Sequence, residues 1–196
     1  MRKLTIGLLF LALTAVGLVP PAQAQSIAGI GDYSYLKLER IDRGSSRYFG
    51  DSAQGNGIAL AYQVNRSTFV YGSYDRLEFA HLPGYLYQTG IGIGYQQTQG
   101  KISAYLRAGY YRSMLSGSIG GARSYYWQAA YGVRAALNRY FSFVGEIYSD
   151  IKPDFGSRPW GVKLGLGFAM GPFALSVLAD HNPDVNSLVG RIGIAF

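Results

Sequence analysis

Residues 125–137 read YYWQAAYGVRAAL. Tyr125, Trp127, Ala129, Tyr131, Val133, Ala135 and Leu137 form one phase of an alternation. Tyr126, Gln128, Ala130, Gly132, Arg134 and Ala136 form the other. A period of two marks a β-strand, because successive side chains point to opposite faces. The run is as long as the ~9–11 residues that a tilted strand needs to cross a bilayer. One phase is apolar, large and aromatic at its upper end; the other is small, polar or charged. A soluble barrel turns its large apolar phase inward. A narrow lumen has room for few side chains, whereas hydrocarbon accepts Trp, Val and Leu outside. The stretch therefore predicts a membrane-crossing strand with its polar phase facing a lumen.

The same alternation recurs over 102–111, 141–151 and 160–170. Short connections at 65–67, 98–100, 138–139 and 171–172 alternate with longer ones at 42–56, 80–84, 115–123, 153–158 and 182–186. Short periplasmic turns opposite longer outer loops give this rhythm. The reading is all-β: a closed up-and-down antiparallel transmembrane barrel of ten strands, with eight as the alternative. The strands fall at 31–41, 57–65, 68–79, 85–97, 101–114, 124–137, 140–151, 159–170, 173–181 and 187–196. An even number puts both chain ends on the periplasmic side. In the first strand the phase is open between Tyr35 and Lys37. In the third, Phe69, Tyr71, Leu77 and Phe79 form the lipid phase. Asp75 falls in that phase too, and needs a bulge or a rim position.

The start of the chain is of another kind. Arg2 and Lys3 precede an uncharged apolar run at 4–19, and Ala22-Gln-Ala24 offers small residues for cleavage. That predicts a signal peptide over 1–24 and a single barrel domain over 25–196. Removing Arg2 and Lys3 takes the formal net charge from +7 to +5. Export excludes nucleic acid as the partner of this basic balance and leaves the phosphates of lipopolysaccharide. Hydrophobic residues make up 48% and charged residues 15%, against about 25% charged in soluble domains. There are no cysteines, so the fold does without disulfides.

The expected lumen carries balanced charge. Arg76, Arg107, Arg134, Lys163 and Arg191 are set against Glu78, Glu146, Asp150 and Asp180 on other strands, as buried charges require. Aromatics gather at both strand ends, as in the girdles of membrane barrels. Phe69, Tyr95, Tyr140, Phe141, Phe168, Phe173 and Phe196 lie near the turns. Phe79, Tyr85, Tyr87, Tyr110, Tyr125, Trp127 and Trp160 lie near the loops.

Ile192, Ile194 and terminal Phe196 resemble the C-terminal assembly signal of outer-membrane barrels, although Arg191 stands where that pattern has glycine. The resemblance implies recognition by the barrel-assembly machinery. Tyr33-Ser-Tyr-Leu36, the Gly-x-Gly strands such as Gly90-Ile-Gly-Ile-Gly94, and the closing Gly190-Arg-Ile-Gly-Ile-Ala-Phe196 are similar to the small outer-membrane barrels grouped with OmpX, Ail and OmpW. They are also similar to the small barrel family of xanthomonads. That group implies roles in surface integrity, adhesion or resistance, without catalysis.

Catalytic chemistry finds little to work with. The two histidines, His81 and His181, each stand two residues before a proline at an outer strand end, and no His-x-Ser occurs. No Cys or His cluster suggests a metal, and no cofactor motif is present. Arg43, Arg47, Arg112, Arg123 and Arg158 fall in or beside outer loops. Their planar guanidinium groups suit the phosphates of lipopolysaccharide. The expected function is that of a monomeric, non-catalytic outer-membrane barrel with a charge-filled lumen, acting in surface integrity or in contact with lipopolysaccharide or host surfaces. A narrow porin-like channel and a rim-located lipid A-modifying enzyme are the alternatives.

Overall fold

A computed structural model describes residues 34–45, 50–117, 121–151 and 160–195. It consists of ten strands: β1 (Tyr35–Arg43), β2 (Ala53–Gln63), β3 (Thr68–Phe79), β4 (Gly84–Gln99), β5 (Ile102–Gly117), β6 (Arg123–Ala136), β7 (Phe141–Ile151), β8 (Trp160–Met170), β9 (Phe173–Asn182) and β10 (Val185–Ala195). Each pairs antiparallel with its sequence neighbours, and β10 returns to β1 to close the barrel. At the seam Tyr35 lies opposite Ala195 and Arg43 opposite Ser187. Closure leaves no strand edge, as hydrocarbon requires. Both ends of the described barrel lie at the short-turn end.

Local chemistry sets those turns. Asn65 Oδ1 accepts from the amides of Ser67 (3.0 Å) and Thr68 (2.9 Å). Asn138 does the same for Tyr140 (2.8 Å) and Phe141 (2.9 Å). The other two short connections begin with glycine: Gly100 and Gly171 both have φ of 58°. A glycine at the first position of a two-residue hairpin supplies that left-handed backbone.

The large apolar residues lie on the outside. Ile91 is 69% exposed, and Leu60, Leu166, Val177 and Ile192 are also open. A wall of this kind is stable in lipid and costly in water. Aromatic belts edge it. Tyr110 packs on Trp127, with centroids 5.2 Å apart, toward the long-loop end. Phe141 packs on Phe168, also at 5.2 Å, toward the short-turn end.

The third strand departs from the sequence reading. β3 pairs with β2 in unbroken register from Phe69 to Phe79, with no bulge. Phe69, Leu77 and Phe79 are buried. Together with Tyr71 and Asp75 they face the lumen, whereas Val70, Tyr74, Arg76 and Glu78 face out. Both phases of β3 carry large residues, so hydrophobicity alone selects the wrong one. Asp75 needs neither a bulge nor a rim: it is luminal. Phe69 and Phe79 accordingly leave the girdles. In β1 the phase resolves with Tyr35, Lys37, Glu39, Ile41 and Arg43 inward. The 42–56 connection is also shorter than expected, because β2 already begins at Ala53.

Candidate functional site

The lumen is packed by a division of labour between strands. Up-going strands carry long inward side chains, and down-going strands carry mostly small ones. Tyr105 lies opposite Gly132, Tyr148 opposite Gly161, and Phe69 and Tyr71 opposite Gly94 and Gly92. A Cβ added at any of these glycines would run into the aromatic ring beside it. Each ring lies across the glycine of its partner strand, which lets it reach along the wall toward the next up-going strand.

These reaching side chains converge on Glu146, whose side chain is 7% exposed. Arg107 donates from Nε to Oε2 (2.9 Å) and from Nη2 to Oε1 (2.7 Å), a two-bond fork. Tyr105 donates its hydroxyl to Oε2 at 2.9 Å. Lys163 Nζ lies 3.8 Å from Glu146 and 3.6 Å from Asp180. Tyr148 donates to Asp180 at 2.8 Å. Arg107 continues the other way, donating from Nη1 to the Tyr111 hydroxyl at 2.8 Å, with its guanidinium 5.4 Å from the Tyr71 ring. The chain of contacts thus runs from β3 to β9. Bidentate geometry and added hydroxyl donors offset the desolvation of these charges.

The remaining wall is simpler. Arg191 Nε lies 2.6 Å from Glu39 Oε1. Lys37 Nζ sits 3.8 Å over the Tyr35 ring. Toward the long-loop end Ile41, Ala53, Leu77, Phe79 and Leu86 form a small apolar cluster inside the barrel. The space left among these groups is about 880 Å³, lined from Asp51 and Arg123 at one end to Asn138 and Ala169 at the other.

The structure brings together Arg107, Glu146, Lys163 and Asp180. It places Arg134 and Asp150 in the lumen lining as well, Asp150 accepting from Gln128 at 2.7 Å. Arg191 joins Glu39 instead of the main group. Arg76 and Glu78 do not belong to the lumen: with β3 inverted they project from the outer wall. Arg43 stands beside the first long loop, but inside the barrel. It closes β1, faces inward and donates to Gln88 at 2.8 Å, because β1 runs further than its sequence pattern suggests. Arg112 projects outward beside Tyr125, its guanidinium 5.9 Å from the ring. Arg123 stands exposed at the start of β6. Ile192 and Ile194 face out from β10. Arg47, Arg158, Phe196 and the expected signal segment lie outside the described residues. Sequence reading missed Tyr71, Tyr105, Tyr111 and Tyr148. Their signal was present: each shares a phase with the luminal charges of its own strand or sits opposite a glycine.

The loop end holds one further device. Asp51 accepts from the amides of His81 and Leu82 (both 2.9 Å), and its Oδ1 lies 2.8 Å from His81 Nδ1. The carboxylate ties the β1–β2 connection to the β3–β4 connection. The His81 side-chain bond, helped by the backbone amides and opposed by desolvation, lowers its pKa to about 2. His81 itself is 86% exposed. His181 Nδ1 pairs with Asn186 Oδ1 at 2.6 Å. Among the described residues neither histidine bonds a hydroxyl nucleophile, and no group of His, Cys, Asp and Glu could hold a metal.

Wall, girdles and packed polar lumen define a ten-stranded transmembrane β-barrel. Solved structures that resemble it include the following three. The KdgM porin in complex with disordered oligogalacturonate has a TM-score of 0.47 and 7% identity, covering 83% of this chain and 99% of that one. The outer membrane protein OprG from Pseudomonas aeruginosa has a TM-score of 0.45 and 12% identity, covering 87% and 99%. Ail of Yersinia pestis has a TM-score of 0.38 and 13% identity, covering 85% and 97%. The likeness is one of barrel architecture and says nothing of solute or partner. No family model and no curated protein matches the chain.

Proposed function

We propose that the chain is a monomeric, non-catalytic barrel of the bacterial outer membrane. In this reading it is exported by a cleaved signal peptide, inserted by the barrel-assembly machinery, and sealed against solute flow. Its work is done at the outer surface, in envelope integrity and in contact with lipopolysaccharide. The supporting observation is the tied lumen from Tyr71 to Asp180. Its long side chains are bonded to one another. A solute path would require them to swing aside and leave buried charges unpaired. Planar-bilayer recording tests this: the purified barrel gives no stable single-channel steps, and reproducible steps would contradict it.

A narrow channel for small solutes is the second reading, favoured by the 880 Å³ space lined at both ends. The same recording separates the two. A rim enzyme has the least support, since His81 is taken up by Asp51 and His181 by Asn186. Loss of lipid A modification in both His81→Ala and His181→Ala would revive it.

A further inference from the structure

The outer wall of β1–β4 changes character over one pair of residues. Leu38, Ile58 and Tyr74 form an outward row across β1, β2 and β3. Two residues nearer the long loops, Arg40 lies opposite Asn56 and Asn56 opposite Arg76. The next row pairs Gln54 with Glu78 and Glu78 with Tyr85. These residues line a surface pocket of about 330 Å³ on the outside of the barrel.

The two arginines are held by neutral partners. Arg40 donates to Gln54 Oε1 at 2.8 Å and to Asn56 Oδ1 at 3.3 Å. The Arg76 guanidinium lies 4.3 Å over the Tyr85 ring. Among the described residues no carboxylate lies within ion-pairing distance of either. Guanidinium groups stay charged at any physiological pH. A cation on a lipid-facing wall is costly at the bilayer midplane and tolerated at its edge. The row directly below is apolar, so Arg40 and Arg76 stand where hydrocarbon gives way to headgroups. Phosphate is the anion found at that level, and a guanidinium fork suits its geometry; Arg40 and Arg76 line the same pocket from either side of Asn56. Gln54, Asn56 and Glu78 add acceptors and donors for hydroxyl or amine groups beside it. The opposite wall offers no equivalent: Ile151, Trp160 and Val162 occupy the corresponding end of β7 and β8.

We propose that this pocket binds the phosphorylated sugar headgroup of a glycolipid in the outer leaflet. The site is local to β1–β4 and involves neither Arg43 nor the loops. It rests on the outer-membrane reading above. The sealed lumen is tested by conductance, so either reading can fail without the other.

The test is native mass spectrometry of the folded barrel in detergent, offered bisphosphorylated lipid A or its dephosphorylated form. Arg40 and Arg76 together should favour the phosphorylated lipid by about tenfold. R40Q/R76Q, shown folded by its heat-modifiable gel mobility, should lose that preference, and R112Q/R123Q should keep it. Inorganic phosphate at millimolar concentration should leave the lipid bound. Equal binding of both lipids by the native barrel would overturn the proposal. So would a preference that survives R40Q/R76Q, one lost in R112Q/R123Q instead, or full displacement by inorganic phosphate.

Discussion

Glu146 and Glu39 stand four strands apart round the ring and are buried alike, with side chains 7% and 6% exposed. Their surroundings differ. Glu146 accepts from Tyr105 and twice from Arg107, with Lys163 nearby. Glu39 has Arg191. The difference follows from where the glycines are. Around Glu146, Gly132 and Gly161 leave the wall flat enough for tyrosines and arginine to cross a strand. At the β1–β10 seam, Gly193 lies against Lys37, and among the described residues the ion-pair partner of Glu39 is Arg191. A buried acid is thus anchored by as many donors as its neighbouring strands make room for.

The largest effect should come from breaking the crowded side. Glu146→Ala removes the carboxylate on which the buried Arg107 is forked and leaves Lys163 to Asp180. We expect a loss of about 3–5 kcal/mol, the usual result of removing one member of a buried ion pair. Urea unfolding from detergent micelles followed by tryptophan fluorescence measures it. A loss no greater than that of Glu39→Gln would mean the converging donors add nothing.

Removing the room should cost less. Gly132→Ala pushes a methyl group into the Tyr105 ring and displaces its hydroxyl from Glu146. Overpacking of this sort costs about 1–3 kcal/mol. Gly190 faces outward with open space around its absent Cβ, so Gly190→Ala serves as the matched control with little change. Similar unfolding midpoints for the two variants would contradict the role given to luminal glycines. On the sparse side, Glu39→Gln keeps the shape and removes one charge, for a loss of about 1–1.5 kcal/mol in the same assay.

The smallest effect lies outside the membrane. Asp51 has a folded pKa of about 2, below the ~3.9 of an unfolded aspartate. A depressed pKa means the ionised form favours the folded loops. That contribution is complete above pH ~3.9 and is lost as pH falls through about 2. Hydrogen exchange at the His81 and Leu82 amides should therefore stay slow near neutral pH and show weakened protection toward pH 2, after allowance for the intrinsic rate. Asp51→Asn should show weakened protection at every pH. Equal protection in both proteins would remove the clamp.

Much of this architecture is legible in the sequence, for a physical reason. Where one phase is large and apolar and the other small or charged, as in β6 and β8, the alternation fixes both the strand and its facing. The Asn65 and Asn138 turns and the Gly100 and Gly171 turns announce themselves by residue type. β3 fails because Phe69, Tyr71, Leu77 and Phe79 are as hydrophobic as any lipid-facing row, and only the glycines opposite show that they lie inside. Arg76, Glu78 and Asp75 change sides with it. Arg43 and Glu39 were hidden by the ambiguous phase of β1. The wall pocket was illegible for a different reason: Arg40, Asn56 and Arg76 become neighbours only through the register of three strands.

The long luminal side chains are tied to one another across glycines, and on the proposed reading they close the lumen. Single-channel recording in planar bilayers tests it most directly, comparing the native barrel with a Tyr71→Ala/Tyr105→Ala/Tyr111→Ala variant. The native protein should show no stable steps, and the variant, once shown to fold, should show them. Steps of the same size in both proteins would contradict the claim.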